Sequence, residues 1–358
     1  MAEEEGRTEY EFTYTYDNFT VFFYGNRVFI GKKSYPVGQC CVDILNLDEA
    51  LFDEINRRVK DFVPAARNLL AEKTDSAATL AQERLNAVWE LIFALPVYRD
   101  LNMDEPCNYH MFRRLMEDEE KWAQVQDPTS DGYVKYQGML LELACFAERL
   151  RGLRQLIAML TGKCLEPLKR RNSAAYAEAY SYFYVHILSA GVQVFGEDFE
   201  QSIPVEMSFV PMVHPTEEGA VFIAEKATFG TLMGFLQTEF YRGLAMGNAP
   251  RRCHNCGRHF LLTSGYNICY CNNIAPGETI RTCRKVGAHR KEAQGKENRT
   301  PVQKEYDRTY NRLKVRKQRG KISRDEWNAA VAKAQELVVR SERGDLTDED
   351  LKRLLARL

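Results

Sequence analysis

The chain has 358 residues, of which 45% are hydrophobic and 28% charged, and its formal net charge is -1. This is the composition of an ordinary soluble globular protein, and the length exceeds the usual domain of about 100 to 200 residues, so two or more domains are expected. The near-neutral total hides an asymmetry: residues 1–250 carry 24 Lys and Arg against 37 Asp and Glu, whereas residues 251–358 carry 25 against 13. Balances of -13 and +12 predict an acidic body joined to a basic module suited to a polyanion.

The opening MAEEEGRTEYEF is acidic and has no apolar core, so it does not read as a secretory signal. Residues 9–33 alternate and are rich in aromatic and β-branched side chains, with turn signals at Asp17-Asn18 and Gly25-Asn26. They predict two or three short antiparallel strands. From about Leu47 helical periods take over. Ile55, Val59 and Phe62 share one face of a helix expected to stop near Pro64.

Further helices are predicted over roughly 77–98, 108–125, 132–162 and 172–193. The third of these has the clearest apolar stripe, from Leu140 through Leu143, Phe146 and Leu150 to Leu160. Tyr176, Tyr180, Phe183 and Tyr184 recur at helical spacing and read as core. A second strand pair covers 204–213 and 219–227, joined by HPTEEG, and a helix over 228–247 follows. The most apolar run, VWELIFALPVY at 88–98, is too short and too charged to span a bilayer. No membrane association is expected, and the expected location is cytoplasmic.

In a reducing compartment, clustered cysteines point to metal binding rather than disulfides. Cys40, Cys41, Cys107, Cys145 and Cys164 are scattered and read as buried or idle thiols, and His110, His186 and His214 have no partner at ligand spacing. Five more cysteines crowd into residues 253–283: Cys253, Cys256, Cys269, Cys271 and Cys283. Cys253-His254-Asn255-Cys256-Gly257 is a C-x2-C turn that aims two thiolates at one point, with the glycine closing it at positive φ. Soft thiolates select zinc over hard cations.

Two more ligands must come from the remaining three cysteines. Cys283 opens a helix-like CRKVGAHRK, where the helix dipole favours a thiolate. Cys269 and Cys271 lie two apart in a strand-like YNICYC, so both face one side, and sterics alone do not separate them. Loop reach mildly prefers Cys271. The series CHNCGRHF, YC, a Pro-Gly loop and TCRKVGAHR resembles the C-terminal zinc finger of an uncharacterised bacterial family, a domain of unknown function. That resemblance implies Cys253, Cys256, Cys271 and Cys283 as ligands, with Tyr270, Pro276, Gly277, Arg284 and Gly287 in the surrounding signature. The region is also distantly similar to CGNR-type zinc fingers of bacterial regulators, although the CGNR tetrad itself is missing.

Beyond the last cysteine the chain turns basic, with Arg281, Arg284, Lys285, Arg290, Lys291 and Lys296. The helix TPVQKEYDRTYNRLKVRKQRG then sets Val302, Tyr306, Tyr310 and Leu313 on one face, with Lys304, Arg308, Arg312, Arg316 and Arg319 elsewhere. Two more helix starts are written by Ser323 with Glu326 and by Thr347 with Asp350, each with an apolar staple.

The expected fold is α+β and mainly α. An acidic helical body with short hairpins (1–247) precedes a treble-clef-like or ribbon-like zinc finger (248–300) and a basic helical appendage (301–358). The leading functional expectation is zinc-dependent binding of DNA or RNA. Its phosphate contacts would be Arg281, Arg284, Lys285, Arg290, Arg308, Arg312, Arg316, Lys317 and Arg319. The alternative is a non-enzymatic interaction scaffold whose basic surface meets an acidic protein partner. The sequence contains no recognisable catalytic motif, so an enzyme is not expected.

Overall fold

A computed structural model describes residues 18–101, 110–188, 203–213, 220–263, 265–297 and 299–358. Contacts divide the chain into two compact units, 1–271 and 272–358. The architecture is mainly α with small antiparallel sheets, as the sequence leads one to expect.

The first unit holds a five-stranded antiparallel sheet of β1 (Phe19–Tyr24), β2 (Arg27–Ile30), β3 (Lys33–Pro36), β4 (Val205–Val213) and β5 (Val221–Phe229), in the order β3-β2-β1-β5-β4. Alternation decides its faces. Phe19, Val21, Phe23, Val28, Ile30, Ala227 and Phe229 enter the main core, whereas Phe22, Phe29, Phe222 and Ala224 form a smaller cluster. Of the expected first strand region, residues 9–17 lie outside the described residues, as do Cys107, His214 and the whole HPTEEG turn. The tight connection at Gly25 is present, with φ 52.

Gly31, at φ 54, turns β2 into β3 directly against the backbone of Asp100: an added Cβ would sit 2.2 Å from that carbonyl oxygen. Gly31→Ala is therefore expected to cost more than about 2 kcal/mol in urea unfolding, from positive-φ strain and a backbone clash together.

The main core is shared with α2 (Glu49–Glu72), α3 (Asp75–Phe93), α5 (Met111–Glu117), α6 (Glu119–Gln126), α7 (Asp131–Leu160), α8 (Ser173–Phe183) and α9 (Leu232–Ala245), most of which pack on one another. The short α1 (Gln39–Leu45) and α4 (Tyr98–Leu101) complete the set. Each long helix begins where a side chain satisfies an orphan N–H: Asp48, Thr74, Asp118, Ser130, Asn172 and Thr231 all cap their first turns.

Three expectations need correction. α2 does not stop near Pro64 but runs through it to a left-handed Lys73. Proline in a helix interior costs about 3 kcal/mol. Burial of Phe62, Ala66 and Leu69 on either side of it offsets that cost. The helix expected over 108–125 is two, broken at Asp118, which ends α5 and caps α6. In the aromatic stripe, Tyr176 and Phe183 are fully buried, but Tyr184 lies in a wider π turn, Tyr184–Leu188, and is 41% exposed. No sequence period announced α1, which begins at Gly38 (φ 103) beneath the buried carboxylate of Glu239.

The second unit contains α10 (Cys283–Glu297), α11 (Pro301–Gln318), α12 (Arg324–Glu342) and α13 (Asp348–Ala356). Both predicted N-caps, Ser323 and Thr347, are in place, and Thr300 with Gln303 adds a further capping box behind Pro301. Gly320 and Gly344, at φ 67 and 84, turn the chain between these helices. Ala334, Leu337, Leu351 and Leu355 make the small core, with Val302 and Tyr306 packed on it.

Candidate metal centre

Two short strands, β6 (Ala249–Arg252) and β7 (His259–Leu262), pair antiparallel and carry the C-x2-C turn at their tip. Gly257 has φ 76, and its N–H reaches the Cys253 carbonyl at 2.9 Å. The Cys253 N–H bonds Arg258 O at 2.8 Å, closing the loop. The hairpin is held firmly within the first unit. Asn46 at the end of α1 donates to the His259 carbonyl at 2.9 Å and accepts from the His259 N–H at 2.8 Å. Glu166 accepts from the Arg252 N–H, and Ala249 is buried in the main core.

The sulfurs of Cys253, Cys256, Cys271 and Cys283 all lie within 4.8 Å of one another. Those of Cys256 and Cys271 are 3.7 Å apart. A tetrahedron with zinc–sulfur legs of about 2.3 Å has edges of about 3.8 Å, so the donor set fits a metal of that size and softness. Cys253, Cys271 and Cys283 are buried and Cys256 is half-buried. Cys283 is the first residue of α10, as expected, and its N–H is fixed by Asn273 O at 2.8 Å.

Burial pushes the Cys253 thiol up, but backbone N–H groups of Cys256, Cys271 and Asn255 point at the sulfur and outweigh it. They hold the pKa at about 7. The Cys271 N–H donates to that sulfur at 3.3 Å. The site is thus built for thiolates even by its backbone.

The segment YNICYC is not a strand, and Cys269 and Cys271 do not share a face. Its polar backbone groups serve the knuckle instead of a ladder: His254 N–H donates to Cys269 O at 2.9 Å. The Cys269 sulfur is engaged elsewhere, accepting from Arg251 Nη2 at 3.2 Å, while Arg251 Nη1 donates to Asn267 Oδ1 at 2.5 Å. Arg251 is only 4% exposed. Nothing in the spacing revealed this buried guanidinium, because its partner lies 18 residues away.

The basic residues fare differently from one another. Arg281, Arg284, Lys285, Arg290, Arg308, Arg312 and Arg319 are exposed. Arg281 pairs with Glu278 at 2.5 Å and Arg308 with Glu305 at 2.6 Å. Arg312 donates to Leu355 O at 2.6 Å and Arg316 to Leu358 O at 2.8 Å, where the end of α13 favours cations. Lys317 lies over the Trp327 ring, 4.2 Å from its centroid. The side chains of Lys291 and Lys296 lie outside the described residues. Among the scattered cysteines, Cys40, Cys41 and Cys164 are buried and Cys145 half-buried.

No helix among the described residues is long and apolar enough to cross a membrane. No curated protein and no solved structure matches the chain significantly. Residues 200–356, from just before β4 to the end of α13, are similar to a family of unknown function, DUF6076, and the matched segment contains the hairpin, the cysteine cluster and the basic helices.

Proposed function

We propose that the chain is a cytoplasmic zinc protein that binds DNA or RNA through its basic C-terminal region and is not an enzyme. The four-thiolate cluster supports the zinc part of this reading. A closed shell of four sulfurs leaves no coordination position for water or substrate, which makes the metal structural. The hairpin that carries C-x2-C, followed by a helix that opens on the last ligand, suits a treble-clef-like finger. The observation that carries the nucleic-acid part is charge: residues 251–358 hold 25 Lys and Arg against 13 Asp and Glu, and seven of the nine candidate contacts are exposed. Cations at the start of α10 and along α11 suit phosphates, whose contacts release counterions.

The experiment is fluorescence anisotropy with a labelled pool of DNA and RNA at 50 and 200 mM salt. Four phosphate contacts on duplex DNA predict a fall in affinity of roughly a hundredfold over that range. Affinity indifferent to salt, or no binding at low salt, overturns the reading.

One observation favours a second reading. Arg312, Arg316 and Lys317 are engaged by Leu355, Leu358 and Trp327 of their own unit, as stabilising a small helical module requires. In that reading the module is an interaction scaffold for an acidic protein partner, and nucleic acid fails to bind even at 50 mM salt.

A further inference from the structure

We propose that the open cavity among α5, α6 and α7 binds an apolar molecule ending in a carboxylate or phosphate. The cavity measures about 550 Å³. That falls within the range of about 300–1,000 Å³ typical of small-molecule sites. Its walls are Met111, Leu115, Val125, Tyr136 and Met139. The Tyr136 hydroxyl is turned away, donating to Ala66 O at 2.9 Å, so the ring contributes apolar surface to the cavity. Two unbranched methionines let the wall adapt to the shape of an occupant.

The rim has one sign. Arg114 comes from α5, Lys121 from α6 and Lys135 from α7, and among the described residues no carboxylate lines the cavity. Lys121 also meets Asp118 at 2.9 Å, but its side chain is 71% exposed, so this is a surface pair from which an anionic ligand can draw the ammonium at small cost. Three cations from three helices around an apolar pit complement a molecule with an apolar tail and an anionic head. A neutral chain leaves the rim unused, and a cationic one is repelled.

The shape of the pit depends on Gly132. A Cβ there would lie 2.6 Å from the Cβ of Gln124, so the glycine lets the start of α7 close upon α6 at this spot. A second cavity, lined by Asp75, Glu83, His110 and Arg113, carries both signs and selects neither.

The test is isothermal titration calorimetry of the full chain with decanoate and decyl phosphate, using decanol, decylamine and acetate as controls. Both anionic chains are expected to bind. Decanol should bind at least tenfold more weakly, and decylamine and acetate should give no binding heat. Lys135→Glu, at an exposed position, should leave the melting curve unchanged and weaken decanoate at least tenfold. Met139→Trp, which fills the pit, should abolish binding; should that variant not fold, Lys135→Glu with Arg114→Glu carries the test. Equal affinity for decanol and decanoate, affinity unmoved by the two charge reversals, or no binding of either anion overturns the proposal. The ranking of decanoate against decyl phosphate assigns the head group.

Discussion

In the zinc protein proposed above, replacing Cys271 by serine is expected to lower bound zinc from one per chain to well below one, whereas Cys269→Ser keeps it at one. The two cysteines are separated by one residue, yet their sulfurs have different tasks. Cys271 lies 3.7 Å from Cys256 inside the four-sulfur cluster, and Cys269 accepts from the buried Arg251. Structural zinc contributes about 10–16 kcal/mol of apparent binding free energy in small fingers. The segment from Asn272 to Thr282 supplies little apolar burial beyond Ala275, so loss of the metal should release it. Metal content by mass spectrometry of the purified variants gives the answer. Amide exchange should show lost protection at Cys283 and Ala275 in the Cys271 variant only. Zinc lost from Cys269→Ser and retained in Cys271→Ser would reverse the assignment.

A second large effect is expected at Glu239, whose carboxylate is fully enclosed. Its Oε1 accepts from the N–H groups of Gly38 and Cys40, and its Oε2 from that of Cys41. Burial is the larger influence and outweighs these donors, raising the pKa from 4.5 to about 7. Because the folded pKa lies above the unfolded one, the associated stability is fully present below about pH 4.5 and is lost as the pH rises through about 7. A shift of this size corresponds to about 3 kcal/mol. Calorimetric melts of Glu239→Gln should therefore lose most of the decline in Tm between pH 5 and 8 that the native chain has.

The neighbouring thiols of Cys40 and Cys41 are pushed well up by burial and stay neutral across this window. Asp43 is also raised by burial, so the glutamine variant is the control that isolates Glu239. Glu239→Ala orphans three buried N–H groups and should cost about 3–5 kcal/mol at pH 5. A Glu239→Gln profile parallel to the native one would remove the carboxylate from the account.

The features legible in the sequence are those written locally. Period-two alternation marks β1, β2, β4 and β5; period 3.6 marks α7; and capping residues mark α12 and α13 to the residue. Gly257 could be assigned its positive φ from the C-x2-C-G turn alone. What stayed hidden depends on partners distant in sequence. α1 has seven residues, too few for a period, and is nucleated by a glutamate about 200 residues away. The continuation of α2 past Pro64 depends on tertiary burial of Phe62 and Ala66, which no propensity contains. The same holds at the metal centre. The spacing gave Cys271 only a mild preference over Cys269, and the two are separated clearly by Arg251, whose burial is a property of the folded chain. Arg312 and Arg316 read as free cations because their acceptors, Leu355 and Leu358, lie about 40 residues downstream.

The attachment of the β6–β7 hairpin bears on portability. Zinc knuckles are commonly thought of as cassettes that can be lifted from one chain and grafted into another. Here the two strands that present Cys253 and Cys256 are themselves held by Asn46 of the α1 end, by Glu166 and by a buried Asn248 that donates to Val37 O at 2.8 Å. A fragment starting at Asn248 would carry the sulfurs but leave behind the groups that set the angle between their strands. Transplanting this centre requires α1 and the turn at Glu166 as well, so the smallest portable unit of the proposed metal site is much larger than the 31 residues that contain its four clustered cysteines.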